Sequence, residues 1–212
     1  MYSVVVLCAG KGTRTGLDYN KMLYEFKGKT VYEMTMDIFL NDEKCEQVVV
    51  VTSEEEREEF VKLVSDERIV YTHGGKERQD SVYNGLQLVT SKYVLIHDGA
   101  RPYVKQKQID DLLECLNEHQ ACLLMVPCKD TIKKVIDGKV VETLVRSQLM
   151  QAQTPQAFHS DVLKDAYQKG IENHYQATDD AQMVEVFSGV EVYAVLGDYE
   201  NKKITTPEDL IG

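Results

Sequence analysis

Apolar and polar positions along the chain follow two rhythms. Residues 3–7 and 47–52 are short apolar runs, the second holding the four valines 48–51. Such unbroken runs belong to strands buried on both faces. Val31, Met34, Ile38 and Phe39 recur at helical spacing, which predicts a helix over 31–41. Ser53-Glu54-Glu55-Glu56 has the form of a capping box and predicts a helix running to about Val64. The same reading gives a strand at 68–71, a helix at 77–89 after Gly74-Gly75, and a strand at 93–97. A helix at about 106–118 and a strand at 121–126 follow. This β-α-β-α order predicts an α/β fold, a mostly parallel twisted sheet with helices on both faces. Ligands of such sheets bind at the carboxyl ends of the strands.

Past residue 130 the rhythm changes. Residues 131–136 and 139–144 are alternating runs around Asp137-Gly138, a strong hairpin signal. No neighbouring segment supplies a helix to cover it, so a projecting β-hairpin arm is predicted. Its Ile132, Val135, Ile136, Val140, Val141 and Leu144 need a surface to bury against, and a second copy of the chain is the simplest one. Helices are predicted at about 159–170 and 179–187, and a strand at 190–196. Residues 203–205 read as extended. Thr206-Pro207-Glu208-Asp209 starts a helix that cannot run far before Gly212. The organisation expected is one domain, 1–212, with a dimerisation arm at about 130–150.

Composition narrows the function classes. The 212 residues are 43% hydrophobic and 28% charged, as in ordinary globular proteins. No apolar run approaches the roughly 20 residues of a membrane span, and the N-terminus lacks a signal peptide, so a cytoplasmic protein is expected. A net charge of -11 argues against a nucleic-acid partner. The five cysteines are odd in number and include no C-x-x-C pair, which disfavours zinc and disulfide frameworks.

Against that acidic background, one basic stretch stands out. Cys8-Ala9-Gly10-Lys11-Gly12-Thr13-Arg14-Thr15-Gly16 follows the first strand, with Asn20-Lys21 after it. Glycines allow backbone N–H groups to approach an anion closely. A Walker loop is excluded because Gly16 precedes Leu17, and the dinucleotide fingerprint fails because Thr15 occupies its third glycine slot. A long basic glycine-rich loop closed by a lysine suits a triphosphate, although a tight turn with solvated cations would look the same. Four further stretches read as sites. Gly74-Gly75-Lys76-Glu77-Arg78-Gln79-Asp80-Ser81 enters a helix and places Arg78 and Ser81 on one face. His97-Asp98-Gly99-Ala100-Arg101-Pro102 puts a carboxylate at the sheet's edge, where it could hold Mg²⁺ or clamp Arg101; His97 reads as a packed histidine. Arg146 with Gln153-Thr154-Pro155-Gln156 reads as a rigid polar loop. Thr178-Asp179-Asp180-Ala181, a helix cap by itself, precedes Asn201-Lys202-Lys203-Ile204.

Taken together, from Leu7 to Leu210, these motifs resemble the 2-C-methyl-D-erythritol 4-phosphate cytidylyltransferases of non-mevalonate isoprenoid synthesis. The resemblance implies a Rossmann-like nucleotidyltransferase that uses CTP, a polyol phosphate and Mg²⁺, dimeric through an exchanged arm. By motif it assigns Arg14 and Lys21 to catalysis. Ala9, Gly10, Gly12 and Thr13 fall to the triphosphate loop, and Gly75, Arg78 and Ser81 to cytosine and ribose. Asp98, Gly99 and Arg101 form the nucleotide edge, with Asp98 facing the metal. Thr131, Arg146, Thr154, Thr178 and Lys203 form the sugar-phosphate pocket. Lys203 is favoured over Lys202 because it precedes Ile204. The rivals are a ribitol-5-phosphate cytidylyltransferase and a non-catalytic nucleotide-binding module; a dinucleotide-dependent oxidoreductase fits least.

Overall fold

The computed structural model describes residues 1–10, 16–26 and 28–210, with Leu210 as backbone only. In chain order, β1 (Tyr2–Leu7) leads through a short 3-10 turn, Lys21–Leu23, to the small hairpin β2 (Glu25–Phe26) and β3 (Lys29–Thr30). Then come α1 (Val31–Leu40), β4 (Cys45–Thr52), α2 (Arg57–Leu63), β5 (Ile69–His73), α3 (Arg78–Leu86), β6 (Tyr93–Asp98), α4 (Gln106–Glu118) and β7 (Ala121–Pro127). The arm strands β8 (Lys133–Ile136) and β9 (Lys139–Thr143) follow, then β10 (Met150–His159), α5 (Ser160–Glu172), α6 (Asp180–Phe187) and β11 (Tyr193–Leu196).

The described residues form one seven-stranded sheet, ordered β11-β7-β10-β6-β1-β4-β5. β1 runs parallel to both β4 and β6, β5 to β4, and β11 to β7. β10 alone is antiparallel, to β6 and β7. The chain builds outward from β1 through β4 to β5, then returns to lay β6 on the other side of β1. The carboxyl ends of β1 and β6 therefore flank a topological switch point, where such sheets bind ligands.

Period-two alternation sends successive residues of each strand to opposite layers. Val4, Val6, Val48 and Val50 pack under α1, α2 and α4 with Met36, Phe39, Phe60 and Leu112. Val5, Val49, Val51 and Ile96 pack under α3, α5 and α6 with Val82, Leu86, Tyr167 and Met183. Thr30 caps α1, accepting from the Glu33 N–H at 3.1 Å while the Glu33 carboxylate takes the Thr30 N–H at 2.7 Å. The hairpin turns at Asp137-Gly138, both at positive φ, and every residue of β8 and β9 is exposed.

Two expectations are corrected. Ser53-Glu54-Glu55-Glu56 does not cap α2, which starts at Arg57; the Ser53 hydroxyl donates to the Glu56 carboxylate at 2.7 Å instead. The stretch around Pro155 is not a loop but the inner strand β10, with a register shift between Ala152 and Gln156. Its buried polar residues are individually satisfied, as when Gln156 donates to Asp179 at 3.0 Å and accepts the Ala181 N–H at 2.8 Å. Residues 203–205 join no strand; the Ile204 N–H donates to the Ala100 carbonyl at 2.8 Å.

Candidate active site

The turn after β1 is fixed from three sides. The Cys8 N–H donates to Val51 O (2.8 Å), and the Gly99 N–H donates to Leu7 O (3.0 Å). Buried Asn20 donates to Cys8 O and to the Glu56 carboxylate, both at 2.9 Å, and accepts the Met22 N–H at 3.0 Å. The Ser53–Glu56 pair thus anchors the far end of the glycine-rich loop. Lys21 follows at once, its ammonium donating to Ile204 O at 2.6 Å.

A second loop closes on the first. A side chain at Gly74 would put its Cβ 2.6 Å from the Ala9 Cβ, so glycine permits the close approach. Ser81 Oγ accepts the Gly75 N–H at 3.0 Å and donates to Glu77 O at 3.2 Å. From the start of α3, Arg78 sends Nη1 and Nη2 to the Asp180 carboxylate, at 3.1 and 2.8 Å, and Nε to Asp98 at 3.3 Å. Burial alone would disfavour its charge, but Asp180 and Asp98 outweigh burial and hold the pKa well above the usual arginine value.

Asp98 ends β6 among cations. Its other oxygen accepts from the Lys203 ammonium at 2.7 Å. Burial pushes its pKa up, and Arg78, Lys203 and Arg101 overcome that and hold it below the usual carboxylate range. The Asp98 N–H donates to Thr154 Oγ1 at 3.0 Å, and that hydroxyl lies 3.3 Å from His97 Nδ1. His97 Nε2 lies 3.1 Å from the Arg101 carbonyl, which assigns the neutral tautomer protonated at Nε2. Burial lowers the His97 pKa to about 4. Wholly buried against Phe39, it is the packed histidine that the sequence predicts. Arg101 donates to Asn201 O at 2.7 Å, joining this turn to the C-terminal tail.

These groups border a cavity of about 500 Å³ at the carboxyl ends of β1 and β6. Ala9, Gly10, Lys21, Gly75, Arg78, Ser81, Asp98 and Lys203 all line it, as do Lys76 and Thr205. Lys203 faces it, whereas Lys202 faces another hollow beside Tyr103 and Ile204. Gly99 and Thr154 lie directly behind Asp98. Thr131 and Arg146 stand exposed at the base of the arm, where Arg146 donates to Lys129 O at 2.8 Å, and neither lines the cavity. Exposed Thr178 bonds Gln182 at the start of α6. Gly12, Thr13 and Arg14 lie outside the described residues. Asn20, Glu56 and Asp180 lie in stretches that the sequence singles out, but their partnerships with one another and with Arg78 carry no sequence signal, and Tyr167 carries none at all.

Among the described residues no group of three or more His, Cys, Asp or Glu could hold a metal ion. Asp98 offers one carboxylate in a ring of cations. That donor set fits Mg²⁺ only as an ion arriving with a triphosphate, which supplies most of its oxygens.

The profile of the family described as IspD, 2-C-methyl-D-erythritol 4-phosphate cytidylyltransferase, matches residues 2–212. The Bacillus mycoides protein of that name is 42% identical over 216 residues, covering 100% of this chain and 95% of the relative. A Clostridioides difficile protein of the same name is also 42% identical, covering 99% and 91%. The 4-diphosphocytidyl-2C-methyl-D-erythritol synthase structure from Anaerococcus prevotii superposes with a TM-score of 0.89 at 30% identity, covering 100% of this chain and 93% of that one. The Francisella tularensis 2-C-methyl-D-erythritol 4-phosphate cytidylyltransferase gives 0.85 at 31%, covering 99% and 96%.

Proposed function

The chain belongs to the 2-C-methyl-D-erythritol 4-phosphate cytidylyltransferase family, and from that premise we propose how its site works. The enzyme transfers CMP from CTP to 2-C-methyl-D-erythritol 4-phosphate, giving 4-diphosphocytidyl-2-C-methyl-D-erythritol and pyrophosphate. The substrate phosphate attacks the α-phosphate in line. The observation that carries this reading is the set of cations, Lys21, Arg78 and Lys203, around one switch-point cavity in a chain of net charge -11.

A phosphate monoester has a second pKa of about 6 and is largely dianionic at neutral pH, so its oxygen needs no general base. The site accords with this, because His97 is neutral, buried and bonded at both nitrogens. The task is to bring two anions together and to stabilise charge on the α-phosphate and the leaving pyrophosphate. We assign that work to Lys21 and Arg14. Ala9, Gly10, Gly12 and Thr13 hold the triphosphate, and Gly75, Arg78 and Ser81 face the base and ribose. Asp98, Gly99 and Arg101 form the nucleotide's edge. Asp98 would hold Mg²⁺ brought with CTP, where the ion offsets charge on phosphate oxygens.

Lys203 and Thr154 serve the polyol phosphate. Thr131 and Arg146 sit away from the cavity of their own subunit, beside an arm whose Val135, Ile136, Val140 and Val141 are 52–61% exposed. A homodimer that exchanges arms covers these side chains and carries Thr131 and Arg146 to the neighbouring cavity; Thr178 belongs to the same pocket. A cytoplasmic location is part of the same proposal. Among the described residues no helix is long and apolar enough to cross a membrane.

The test is pyrophosphate release from four nucleoside triphosphates against several polyol phosphates. CTP with methylerythritol phosphate should lead, with kcat/KM about tenfold or more above ribitol 5-phosphate. Equal or reversed values would overturn the assignment.

A further inference from the structure

A chain of bonded polar groups leads from buried Tyr167 on α5 and buried Asp180 to Arg78, Asp98 and Lys203, which line the cavity. Asp180 lies in the Thr178-Asp179-Asp180-Ala181 stretch, which reads as a helix cap by itself, and neither it nor Tyr167 is assigned a contact with substrate. Asp180 is fully buried, and a carboxylate without water is costly unless charge and hydrogen bonds replace it. Helix formation does not require it there: Asp179 already caps α6, accepting the Gln182 N–H at 2.9 Å. Asp180 is instead spent on Arg78. Both of its oxygens take a guanidinium nitrogen, and the Tyr167 hydroxyl donates to the oxygen that faces Nη1.

This two-point pairing fixes the plane of the guanidinium. With Nη1 and Nη2 held, the Nε edge is aimed at Asp98, 3.3 Å away. Arg78 then offers the cavity a charge already matched by Asp180. Without Asp180, the guanidinium could rotate to take Asp98 by its two Nη atoms or to follow a phosphate. Asp98 and its Lys203 partner would lose their set geometry in either case.

We propose that Asp180, locked by Tyr167, is a positioning residue for cytidylyl transfer: it fixes the Arg78 guanidinium and, through it, the Asp98 carboxylate at the edge of the nucleotide cavity. The proposal rests on the function assigned above. A mere staple between α3 and α6 would affect stability alone.

Two readouts separate these roles. The first needs no turnover: ¹⁵N spectra of arginine side chains in the full-length protein, with the Arg78 signal assigned by loss in Arg78→Lys. Slow guanidinium rotation should be seen in the wild type and averaged in Asp180→Asn. The second is kinetic. In folded Asp180→Asn, kcat should fall by about tenfold to a hundredfold, the scale of a small misplacement at a reacting centre, while KM for CTP is not raised. Tyr167→Phe should show a smaller loss of the same kind. Formate should restore part of the turnover of Asp180→Ala and none to the wild type. Unchanged kcat with only a lower melting temperature, or an Arg78 signal indifferent to Asp180, would overturn the proposal. If the Asp180 variants do not fold, Tyr167→Phe decides by the same two readouts. A wild type without cytidylyl transfer would sink the functional assignment alone, since the guanidinium spectrum still reports whether Asp180 holds Arg78.

Discussion

Lys21 donates to the carbonyl of Ile204, 183 positions away, so a lysine of the nucleotide loop is held by the C-terminal tail. Its ammonium is placed before substrate arrives, as expected of a group that stabilises developing charge. Lys21→Ala should therefore cost about 3 kcal/mol of transition-state stabilisation, roughly a hundredfold in kcat, with the fold intact by circular dichroism. A rise confined to KM for CTP would mean that Lys21 binds only the ground state. His97 predicts a pH effect. Its pKa is about 4 in the folded chain against 6.5 ordinarily, so the unfolded chain binds the extra proton first. Stability is complete above pH 6.5 and is lost as pH falls toward 4. Between pH 7.5 and 5 the loss should be roughly 2 kcal/mol in urea unfolding, absent from His97→Asn. Asp98, also depressed, acts only below the ordinary carboxylate range and does not enter this window. The cations, glycines and Asp98 of the cavity were legible in the sequence because adjacent residues carry each motif. The role of Asp180, whose stretch reads as a helix cap, was not: its carboxylate meets Arg78 across 102 positions, and only the fold joins them.

Among the elements, α3 lies close against the sheet at Gly85. A Cβ at Gly85 would come within 2.5 Å of Val5 Cγ1 on β1 and 3.3 Å of Val51 Cγ2 on β4. Alanine gains about 1 kcal/mol of helix propensity, and overpacking a buried contact costs about 1–3 kcal/mol. The contact should win, because Val5 is held in the middle of a strand. Gly85→Ala should lower the melting temperature by a few degrees, about 2–4 °C per kcal/mol at this size, and a rise would refute the packing argument. Strands of consecutive valines and helices of apolar periodicity were legible for the same reason, since burial on a regular element leaves a regular trace. β10 leaves none. Gln153, Thr154 and Gln156 are buried there, each 6% exposed or less, and a proline lies between them. Their partners in α6 and the tail make that burial tolerable, and those partners cannot be read from local pattern. Ser53-Glu56 misled for a related reason: Asn20 takes the Glu56 carboxylate that a helix start would have used.

For the whole molecule, the exposed arm predicts an assembly. Deleting 133–142 should convert a dimer to monomer or aggregate in sedimentation velocity, and an unchanged dimer mass would exclude the arm. If Arg146 serves the opposite cavity, two inactive variants should rescue one another. Mixing Lys21→Ala with Arg146→Ala after subunit exchange should recover about a quarter of wild-type activity, because half the dimers then carry one intact site of two. No recovery would place Arg146 and Lys21 in the same subunit's site.

The position of β10 also bears on how the protein is made. A chain emerges from the ribosome N-terminus first and tends to fold in that order. Once β6 has emerged, β5, β4, β1 and β6 can pair as a four-stranded sheet. β7 arrives next but has no seat beside it, since β10 occupies the place between β6 and β7. Until residues 150–159 are synthesised, the edge of β6, with Val94, Leu95 and Ile96, stays unpaired on a half-built sheet. Unpaired edges of this kind recruit other chains. Nascent chains halted between β7 and β10 should therefore aggregate or hold chaperones more than chains halted after His159, by pelleting and co-purification, so the vulnerable interval of this protein's life falls during its own translation.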